Sequence, residues 1–553
     1  MIKKRWIVGK TSSEATKLGS TYNLNPILIQ LLLNRGVPKE EFFSFLDPSP
    51  SSLHPWQLLP DIEKACARIK KAIRGRENIF LFGDYDVDGI TSLTIFYEYI
   101  KEFPVNVSFY IPHRTEEGYG LNKAAIRGLG EKRTDLLICF DCGTNARDEI
   151  ELAHSLGIDV VVVDHHTPKQ SQNIPYAFIN PKREDSQYPF KDLSTAAVAF
   201  KLIQALSGRS CFDLLDLVAL SVVCDVVPVK GENRVLLREG LRCLRTSQRK
   251  GITALCDVAR IKPDNIEPYH IGYILGPRIN ASGRVSSAKE ALQLFISPHS
   301  EEIKEIAIRL DQYNRERRMI EQAILREAEE MIERSFCDQS VLVVYKEGWH
   351  LGVLGIVAAK LADKYWRPTF VIGLEDKCGR GSARSIPDLH IIDALEECKD
   401  LLATYGGHKK AAGIEISEDV IEKFKERFNM ISAEKLKGKD LSPQLNIDMI
   451  LAFKDITMDL VAQIEQLKPF GEGNAPPLFL TRGITAKTSP KRVNGNMYSF
   501  WVCDDICTYE AVFYSRDLLA IINYGEPLDI VYELRRDTYH NSIRLFIKDL
   551  RLS

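Results

Sequence analysis

The sequence lacks a long apolar run, an excess of charge of either sign, and any repeat or low-complexity tract. No stretch approaches the ~20 apolar residues of a membrane span, and the apolar run near the start, WIV, is too short for a signal peptide. We therefore expect a cytoplasmic protein without a membrane partner. Its 73 basic and 75 acidic residues give a net charge of −2, so a nucleic acid would have to be bound by local basic surfaces.

Cysteine is present, but its spacing does not favour a structural metal. Cys139 and Cys142 have CxxC spacing, and Cys503 and Cys507 have CxxxC spacing. A zinc site would need two such pairs brought together. Several of the 12 cysteines lie inside apolar strand-like runs, such as LLICF and VVCDVV. Reduced thiols packed in a core are therefore the favoured interpretation.

A length of 553 residues predicts several domains, because a single core rarely grows past roughly 300 residues. From about residue 61 to 230, strand patterns alternate with helical ones, which predicts a parallel sheet covered on both faces. A run without Gly or Pro near residues 303–335 predicts a long helix. We expect an N-terminal extension packed on the main domain (1–60), a first α/β domain (61–295), a long connecting helix (296–336), a second α/β domain (337–440) and a β-rich domain (441–553).

The last segment carries short strand patterns at regular spacing, such as NMYSFWVCDD and LDIVYELRR. This spacing predicts a small barrel, with an OB-fold as the leading interpretation. Aromatic and basic residues are interleaved here, as on barrels that bind single-stranded nucleic acid. They are Lys491, Arg492, Tyr498, Phe500, Trp501, Arg535, Arg536 and Tyr539. In the alternating run NMYSFWV, however, one face must point into the core.

The stretch LFGDYDVDGITS is the strongest chemical signal in the chain. Asp84, Asp86 and Asp88 follow an apolar strand pattern and precede a helical one, so they fall at the carboxyl end of a strand, where open α/β sheets place their ligands. Three carboxylates this close repel one another unless a positive group lies between them. A hard divalent cation is the favoured partner, and a solvated acidic turn or helix N-caps are the alternative.

Other apolar runs of the first α/β domain end in similar chemistry. Asp141 follows LLICF, Asp164, His165 and His166 follow VVVV, and Asp225 follows LVALSVVC. If these ends meet at one edge of a sheet, five of the side chains could surround one or two metals. They are Asp86, Asp88, Asp141, His165 and Asp225. Oxygen ligands with an imidazole suit manganese or magnesium, although each residue alone could be an N-cap or a core histidine.

The second α/β domain contains features that suit an anion. The run GRGSARS (379–385) combines bare backbone, hydroxyl donors and a guanidinium fork, as a terminal phosphate requires. Gly406, Gly407 and His408 add bare backbone beside an imidazole. A Gly-rich turn without a ligand is the alternative.

The run GPRINASGRV reads as a polar, basic turn between helical segments. Its Arg278, Asn280 and Arg284 are candidates for contacting a nucleic-acid backbone or closing a cleft. A simple helix–helix connector is the alternative.

These motifs together resemble a known family. DYDVDG, FDCG, DHH and CDVV look like the four motifs of the DHH phosphoesterase superfamily, and GRGSARS and YGGHKKAAG look like its DHH-associated domain. With PRINASGR before the long helix and PFGEGNAPPLF before the barrel-like tail, the order is similar to the RecJ family of single-strand-specific DNA exonucleases. The resemblance covers roughly residues 60 to 550.

The resemblance implies a parallel-sheet DHH domain, a long helix, a second α/β domain and a C-terminal OB-fold. It also implies roles for individual residues. The five residues grouped above would be metal ligands, Asp84 and Asp164 would be ligands or would orient them, and His166 would face the scissile phosphate. Ser382 and Arg384, joined by Arg114, would hold a 5′-phosphate, and His408 would line the cleft.

The implied function is a 5′-to-3′ exonuclease in DNA repair and recombination that releases mononucleotides from single-stranded DNA with two Mn²⁺ or Mg²⁺ ions. A single-strand-binding protein and a RecQ-type helicase are the implied protein partners. One alternative is a DHH phosphodiesterase for short oligonucleotides or cyclic dinucleotides, which the long helix and the tail disfavour. The other is an inactive DHH scaffold of a replication complex, which the full set of ligand types disfavours.

Overall fold

The computed structural model describes residues 3–114, 116–169, 175–335, 339–514, 516–523, 525–537 and 539–553. The chain forms two compact units. An α/β unit comprises Pro50–Leu441, and a barrel unit comprises Met1–Ser49 together with Ser442–Ser553. Within the described ranges, no helix is both long enough and apolar enough to cross a membrane.

The barrel unit begins with the N-terminal residues. Its first elements are β1 (Arg5–Val8), α1 (Glu14–Tyr22), α2 (Pro26–Asn34) and α3 (Phe42–Leu46). Leu28, Leu32 and Phe42 are fully buried in one core with residues of the C-terminal barrel. The segment Met1–Ser49 thus shares a core with the C-terminal residues, whereas residues 50–60 of the predicted extension belong to the α/β unit, where Leu59 is buried.

The first half of the α/β unit is built on a parallel sheet, as predicted. Its five strands lie in the order β3-β2-β4-β5-β6, and all four pairings are parallel. The elements are α4 (Ile62–Gly75), β2 (Asn78–Gly83), α5 (Val87–Ile100), β3 (Asn106–Tyr110), α6 (Lys123–Glu131), β4 (Leu136–Phe140), α7 (Arg147–Ser155), β5 (Asp159–Val163) and β6 (Ala177–Ile179). The short strand β6 lies between Pro175 and Pro181.

Two apolar cores cover the two faces of this sheet. Along β2, Ile79 and Leu81 belong to one core and Phe80 and Phe82 to the other, as alternation along a strand requires. Cys139 packs in the second core with Cys142. All eleven cysteines of the described residues are free thiols.

Helices follow through the rest of this half. They are α8 (Thr195–Ser207), α9 (Leu215–Cys224), α10 (Gly231–Arg245), α11 (Lys250–Ala259), the one-turn α12 (Pro268–His270), α13 (Gly276–Val285), α14 (Lys289–Ile296) and α15 (Ser300–Ser335). The run before Asp225 is thus the helix α9, although its apolar residues suggested a strand. The helix α15 is the long helix expected from the sequence, and its predicted end at 336 lies outside the described residues.

The second half of the α/β unit is a mixed five-stranded sheet in the order β10-β11-β9-β8-β7. Only β7 and β8 pair in parallel. The elements are β7 (Leu342–Glu347), α16 (Leu354–Tyr365), β8 (Thr369–Glu375), β9 (Cys378–Arg384), α17 (Ile391–Glu396), β10 (Thr404–His408), β11 (Ala411–Ser417) and α18 (Ile421–Leu436).

The C-terminal part of the barrel unit confirms the OB-fold. Its elements are β12 (Gln444–Ile447), β13 (Met449–Ile450), α19 (Met458–Glu465), β14 (Phe479–Ala486), β15 (Lys491–Asn494), β16 (Met497–Cys503), β17 (Thr508–Phe513), β18 (Pro527–Asp537) and β19 (Ser542–Leu552). The strand β14 pairs with both β18 and β16, which closes a five-stranded barrel. The strand β1 pairs in parallel with β12.

Candidate metal centre and phosphate pocket

The turn between β2 and α5 places three carboxylates within five residues. Asp86 is the N-cap of α5, because its Oδ1 accepts hydrogen bonds from the backbone nitrogens of Asp88 (2.9 Å) and Gly89 (3.2 Å). A Cβ on Gly89 would lie 2.4 Å from the carbonyl oxygen of Asp84, so only glycine permits this close approach. The capping role considered for these residues is thus present, and it fixes the carboxylates in one place.

Asp88 is held by the beginning of α8. Its two carboxylate oxygens accept hydrogen bonds from the backbone nitrogens of Thr195 and Ala196, both at 2.8 Å, and Oδ1 also accepts one from Ser221 Oγ at 2.6 Å. A helix N-terminus offers free N–H groups and a positive dipole end, which favour a carboxylate. The buried Asp88 is therefore oriented from two sides.

Asp141 and Asp164 follow β4 and β5. Asp141 has a left-handed backbone (φ 60°), and its Oδ1 accepts a hydrogen bond from Thr195 Oγ1 at 2.8 Å. Asp164 Oδ1 lies 2.7 Å from His166 Nδ1 and accepts hydrogen bonds from the backbone nitrogens of His165 and His166. Asp164 therefore orients the two histidines.

His165 points one ring nitrogen at a group of carboxylates. Its Nδ1 lies 3.0 Å from the carbonyl oxygen of Leu193, to which it can donate, so its Nε2 is left as the acceptor. That Nε2 lies 3.4 Å from Asp225, 3.6 Å from Asp141 and 3.8 Å from Asp88. The lone pair of His165 Nε2 thus points toward three carboxylates, and a cation would stabilise this arrangement.

The side chains form two adjacent groups in which the potential ligand atoms lie within 4.8 Å of one another. One group is Asp84, Asp86 and Asp141, and the other is Asp88, His165 and Asp225. Asp141 also lies in a third group of the same kind with His165 and His166, so it connects the two sites. The structure thus brings together the five residues predicted to bind a metal, and it places Asp84, predicted to be a ligand or to orient one, in the first group.

The donors fit divalent cations. Asp84 Oδ1 is buried and has no hydrogen-bond partner among the described residues, a costly state for a carboxylate oxygen unless a cation lies against it. Oxygen-rich sites with one imidazole suit Mn²⁺ or Mg²⁺.

The carboxylates raise one another's pKa. Burial, followed by repulsion from neighbouring carboxylates, raises the pKa of Asp84 and Asp141 well above the usual range and also raises that of Asp86. The same causes raise the pKa of Asp225 to about 9. A cation or protons must therefore neutralise this cluster.

A pocket is lined by residues from both halves of the α/β unit. Its lining residues are Arg114, Glu116, Glu117, Gly118, Leu351, Gly352, Leu354, Arg380, Gly381, Ser382 and Glu415. Arg384 donates to Ser382 Oγ at 3.3 Å, and the absence of a Cβ on Gly355 allows the first turn of α16 to approach both side chains.

Several cations face one another here. Burial, then repulsion from Arg114, lowers the pKa of Arg384. Burial, then repulsion from Arg114 and Arg317, lowers the pKa of Arg284 to about 9. Clustered guanidinium groups beside a helix N-terminus favour the binding of an anion.

The other predicted residues lie outside both clusters. Arg278 forms an ion pair with Asp311 of α15 at 2.8 Å, and Asn280 Oδ1 accepts a hydrogen bond from the backbone nitrogen of Val87. Their run is the helix α13 rather than a turn, and GRGSARS is the strand β9 rather than a loop. Gly406, Gly407 and His408 lie exposed on the edge strand β10.

Sequence reasoning missed several residues that contact the cluster. Thr195 and Ser221 hold Asp88 and Asp141, and the Tyr119 hydroxyl donates to the Asp141 carbonyl oxygen at 2.8 Å. Ser194, whose side chain caps α8, was a readable N-cap signal, but nothing in the sequence joined it to Asp88.

Comparisons with known proteins agree with this architecture. Family models match the DHH family N-terminal domain at residues 78–222, the DHHA1 domain at 338–434 and the RecJ OB domain at 447–549. The fold and the site thus define a phosphoesterase of the DHH class that carries an additional OB domain.

Sequence similarity to individual proteins identifies the family within this class. The single-stranded-DNA-specific exonuclease RecJ of Bacillus subtilis is 34% identical, with 100% of this chain and 71% of that protein covered. That of Escherichia coli is 33% identical, with 82% and 83% covered. The chain belongs to the RecJ family.

Solved structures show the same fold. RecJ of Thermus thermophilus in complex with Mn²⁺ matches with a TM-score of 0.84 and 25% identity, covering 99% of this chain and 80% of that one. The complex of the same protein with Mg²⁺ matches with a TM-score of 0.79 and 25% identity, covering 99% and 78%.

We predict that Mn²⁺ binds more tightly at about pH 8 than at about pH 6, because the cation must displace protons from carboxyl groups whose pKa is raised. The stabilisation by saturating Mn²⁺ should grow over the same range, since without a cation the folded state holds extra protons and loses stability as pH rises. Calorimetric titration and thermal unfolding at both pH values measure this. Asp141→Asn should abolish the effect, and an affinity independent of pH would contradict it.

We predict that Gly89→Ala reduces Mn²⁺ affinity about 10- to 100-fold, the usual cost of misplacing groups around a metal site. The added Cβ would press on the Asp84 backbone. Gly128→Ala is the matched control, because Gly128 lies in α6 with nothing within 4 Å of its Cβ position. Calorimetric titration of both variants with Mn²⁺ is the measurement, and equal affinities would refute the role of Gly89.

Proposed function

We propose that this chain is a single-stranded-DNA-specific exonuclease that hydrolyses phosphodiester bonds with two divalent cations, Mn²⁺ or Mg²⁺, in DNA repair and recombination. The observation that carries the proposal is the pair of ligand groups connected by Asp141, together with a pocket that is lined by both halves of the α/β unit and includes Arg114 and Ser382. Membership of the RecJ family supports the substrate class.

Each residue of the metal centre has a distinct role in this proposal. Asp84, Asp86 and Asp141 would hold one cation, and Asp88, His165 and Asp225, with Asp141 beside them, would hold the other. Bound there, the cations would supply Lewis acidity that activates water and stabilises charge on the phosphate oxygens. Asp164 orients His166 through its Nδ1. Burial lowers the pKa of His166, but the hydrogen bond and charge of Asp164 outweigh it and raise that pKa, so that the imidazolium can donate a hydrogen bond from Nε2 to the scissile phosphate.

The pocket with Arg114 and Ser382 would select the end of the strand. Arg114, Ser382 and Arg384 would bind a terminal 5′-phosphate through charge-assisted hydrogen bonds, while the scissile phosphate lies at the metal centre. Binding of the end in this way gives 5′-to-3′ polarity and release of mononucleotides. Arg284 adds positive charge, whereas Gly406, Gly407 and His408 would line the outer part of the cleft.

The OB domain offers a surface for the rest of the strand. In β16, Tyr498 and Phe500 face the core, but Trp501 is 46% exposed. Tyr539 is 89% exposed. Exposed aromatics on a domain that also carries basic residues such as Arg492 suit stacking of bases without sequence preference, which favours long strands over dinucleotides as substrates.

We also propose a cytoplasmic location and two protein partners, a single-strand-binding protein and a RecQ-type helicase. The free thiols of the described cysteines suit a reducing compartment. The two partners follow from the RecJ resemblance. Direct binding titrations with the purified proteins would test them.

End-labelled DNA tests the proposed activity. With Mn²⁺, the chain should release the 5′-terminal label as a mononucleotide and shorten 3′-labelled strands progressively, while duplex DNA and a dinucleotide react slowly. Asp141→Ala should abolish turnover, because it removes the carboxylate that both groups need. Equal attack on both ends, preference for duplex or faster cleavage of a dinucleotide would contradict the proposal.

We predict that Arg384→Gln removes the preference for a 5′-phosphate over a 5′-hydroxyl end, because one guanidinium–phosphate interaction contributes about 1.5–3 kcal/mol. Rates on both ends are compared for each variant. Arg242→Gln is the control, since Arg242 is an exposed residue paired with Glu239 on α10. A preserved preference in Arg384→Gln would remove Arg384 from the pocket.

A further inference from the structure

Tyr119 combines an exposed ring with an engaged hydroxyl. The residue is 52% exposed, yet its hydroxyl donates to the carbonyl oxygen of Asp141 at 2.8 Å and lies 3.1 Å from His166 Nδ1 and 3.3 Å from its Nε2. The two rings meet at a centroid distance of 5.4 Å. Tyr119 therefore contacts the backbone of the residue that connects the two metal groups, and it also contacts the histidine beside them.

The hydrogen bond from the Tyr119 hydroxyl stabilises Asp141, whose backbone conformation is strained. Asp141 has φ 60°, a left-handed conformation that is costly for a residue other than glycine and must be held by its surroundings. The Tyr119 hydroxyl binds the carbonyl of that same residue. It thus helps to keep the Asp141 carboxylate pointed at both groups.

The ring of Tyr119 lies on a preformed segment that also reaches the phosphate pocket. Gly118 and Gly120 flank it with φ 79° and 83°, and Gly118 lines the pocket with Arg114 and Ser382. The segment is held by Glu117, whose carboxylate accepts hydrogen bonds from the His113 backbone nitrogen (2.7 Å), the Tyr110 hydroxyl (2.5 Å) and Asn122 Nδ2 (2.9 Å). The ring therefore lies between the pocket and the metal centre.

We propose that Tyr119 joins these two sites: its hydroxyl positions Asp141 and His166, and its exposed ring stacks on the base of the 5′-terminal nucleotide. The inference rests on the proposed function, in which the 5′-phosphate and the scissile phosphate flank that nucleotide. Stacking on an aromatic ring tolerates any base, as an enzyme without sequence preference requires.

Two variants separate the hydroxyl from the ring. Tyr119→Phe keeps the ring and should lower kcat about tenfold with KM nearly unchanged, because only positioning is lost. Tyr119→Leu removes both and should also raise KM about tenfold, the effect expected for one lost base stack. Tyr176→Phe and Tyr176→Leu are the matched controls and should behave as the wild type. Tyr176 precedes β6, at the end of the sheet opposite the cluster, and stacks on Lys64.

A substrate that lacks its first base tests the contact between the Tyr119 ring and that base. Steady-state kinetics with Mn²⁺ are measured on a 5′-phosphorylated single strand and on the same strand with an abasic first residue. The abasic end should raise KM for the wild type and for Tyr119→Phe but not for Tyr119→Leu. A merely structural role would raise KM equally on both strands.

Two outcomes overturn the inference. One is a wild-type kcat and KM in both Tyr119 variants, and the other is an abasic effect that persists in Tyr119→Leu. The wild-type rate on the intact strand reports the proposed exonuclease activity, whereas the ratio of variant to wild type reports Tyr119, so the two failures are distinguishable.

Discussion

Mutual repulsion among buried carboxylates is the constraint on which the rest of the α/β unit depends. Asp88, Asp141 and Asp225 lie around one imidazole nitrogen, Asp84 and Asp86 lie in the adjacent group with Asp141, and burial makes each charge more expensive. The surrounding elements offset part of this cost. The N-termini of α5 and α8 direct their N–H groups at Asp86 and Asp88, and hydroxyl groups complete the support.

Repulsion between like charges also occurs at the neighbouring pocket, but there the charges are positive. Guanidinium groups from α13, β9 and the segment after β3 repel one another near the beginning of α16. A phosphodiester strand carries negative charge. It can therefore bind the arginines directly and the carboxylate cluster through cations. The two repulsive clusters, which destabilise the protein when considered alone, are thus arranged around one kind of ligand.

The sequence predicted the metal cluster well because the physics there is local. Apolar strands followed by Asp or His placed Asp86, Asp141 and His165 at the carboxyl edge of a parallel sheet, and the family motifs agreed. The run LVALSVVC misled because a buried helix and a buried strand are equally apolar, so periodicity does not separate them. Asp225 reaches the site from the C-terminal end of α9 instead.

The helix α13 and the strand β9 could not be predicted, because their glycines suggested turns. In the structure these glycines instead allow close packing of neighbouring elements. In α13, a Cβ on Gly276 would lie 2.3 Å from Cys224 Sγ, so glycine there allows close helix packing and not a turn. In β9, Gly379 and Gly381 make room for Ile372, Ile414 and Ile416 of the neighbouring strands. The contact of Tyr119 with Asp141 joins residues 22 positions apart, and no pattern in the sequence marks it.

The pairing of β1 with β12 has a consequence for biogenesis. The first 49 residues of the chain complete a unit whose remaining residues begin at 442. During synthesis, β1 and the helices α1 to α3 must therefore wait until the residues beyond 442 have been made, while the intervening α/β unit can already fold. The apolar face of α2 is left without its partner in that interval, which makes the nascent amino terminus a candidate client for chaperones.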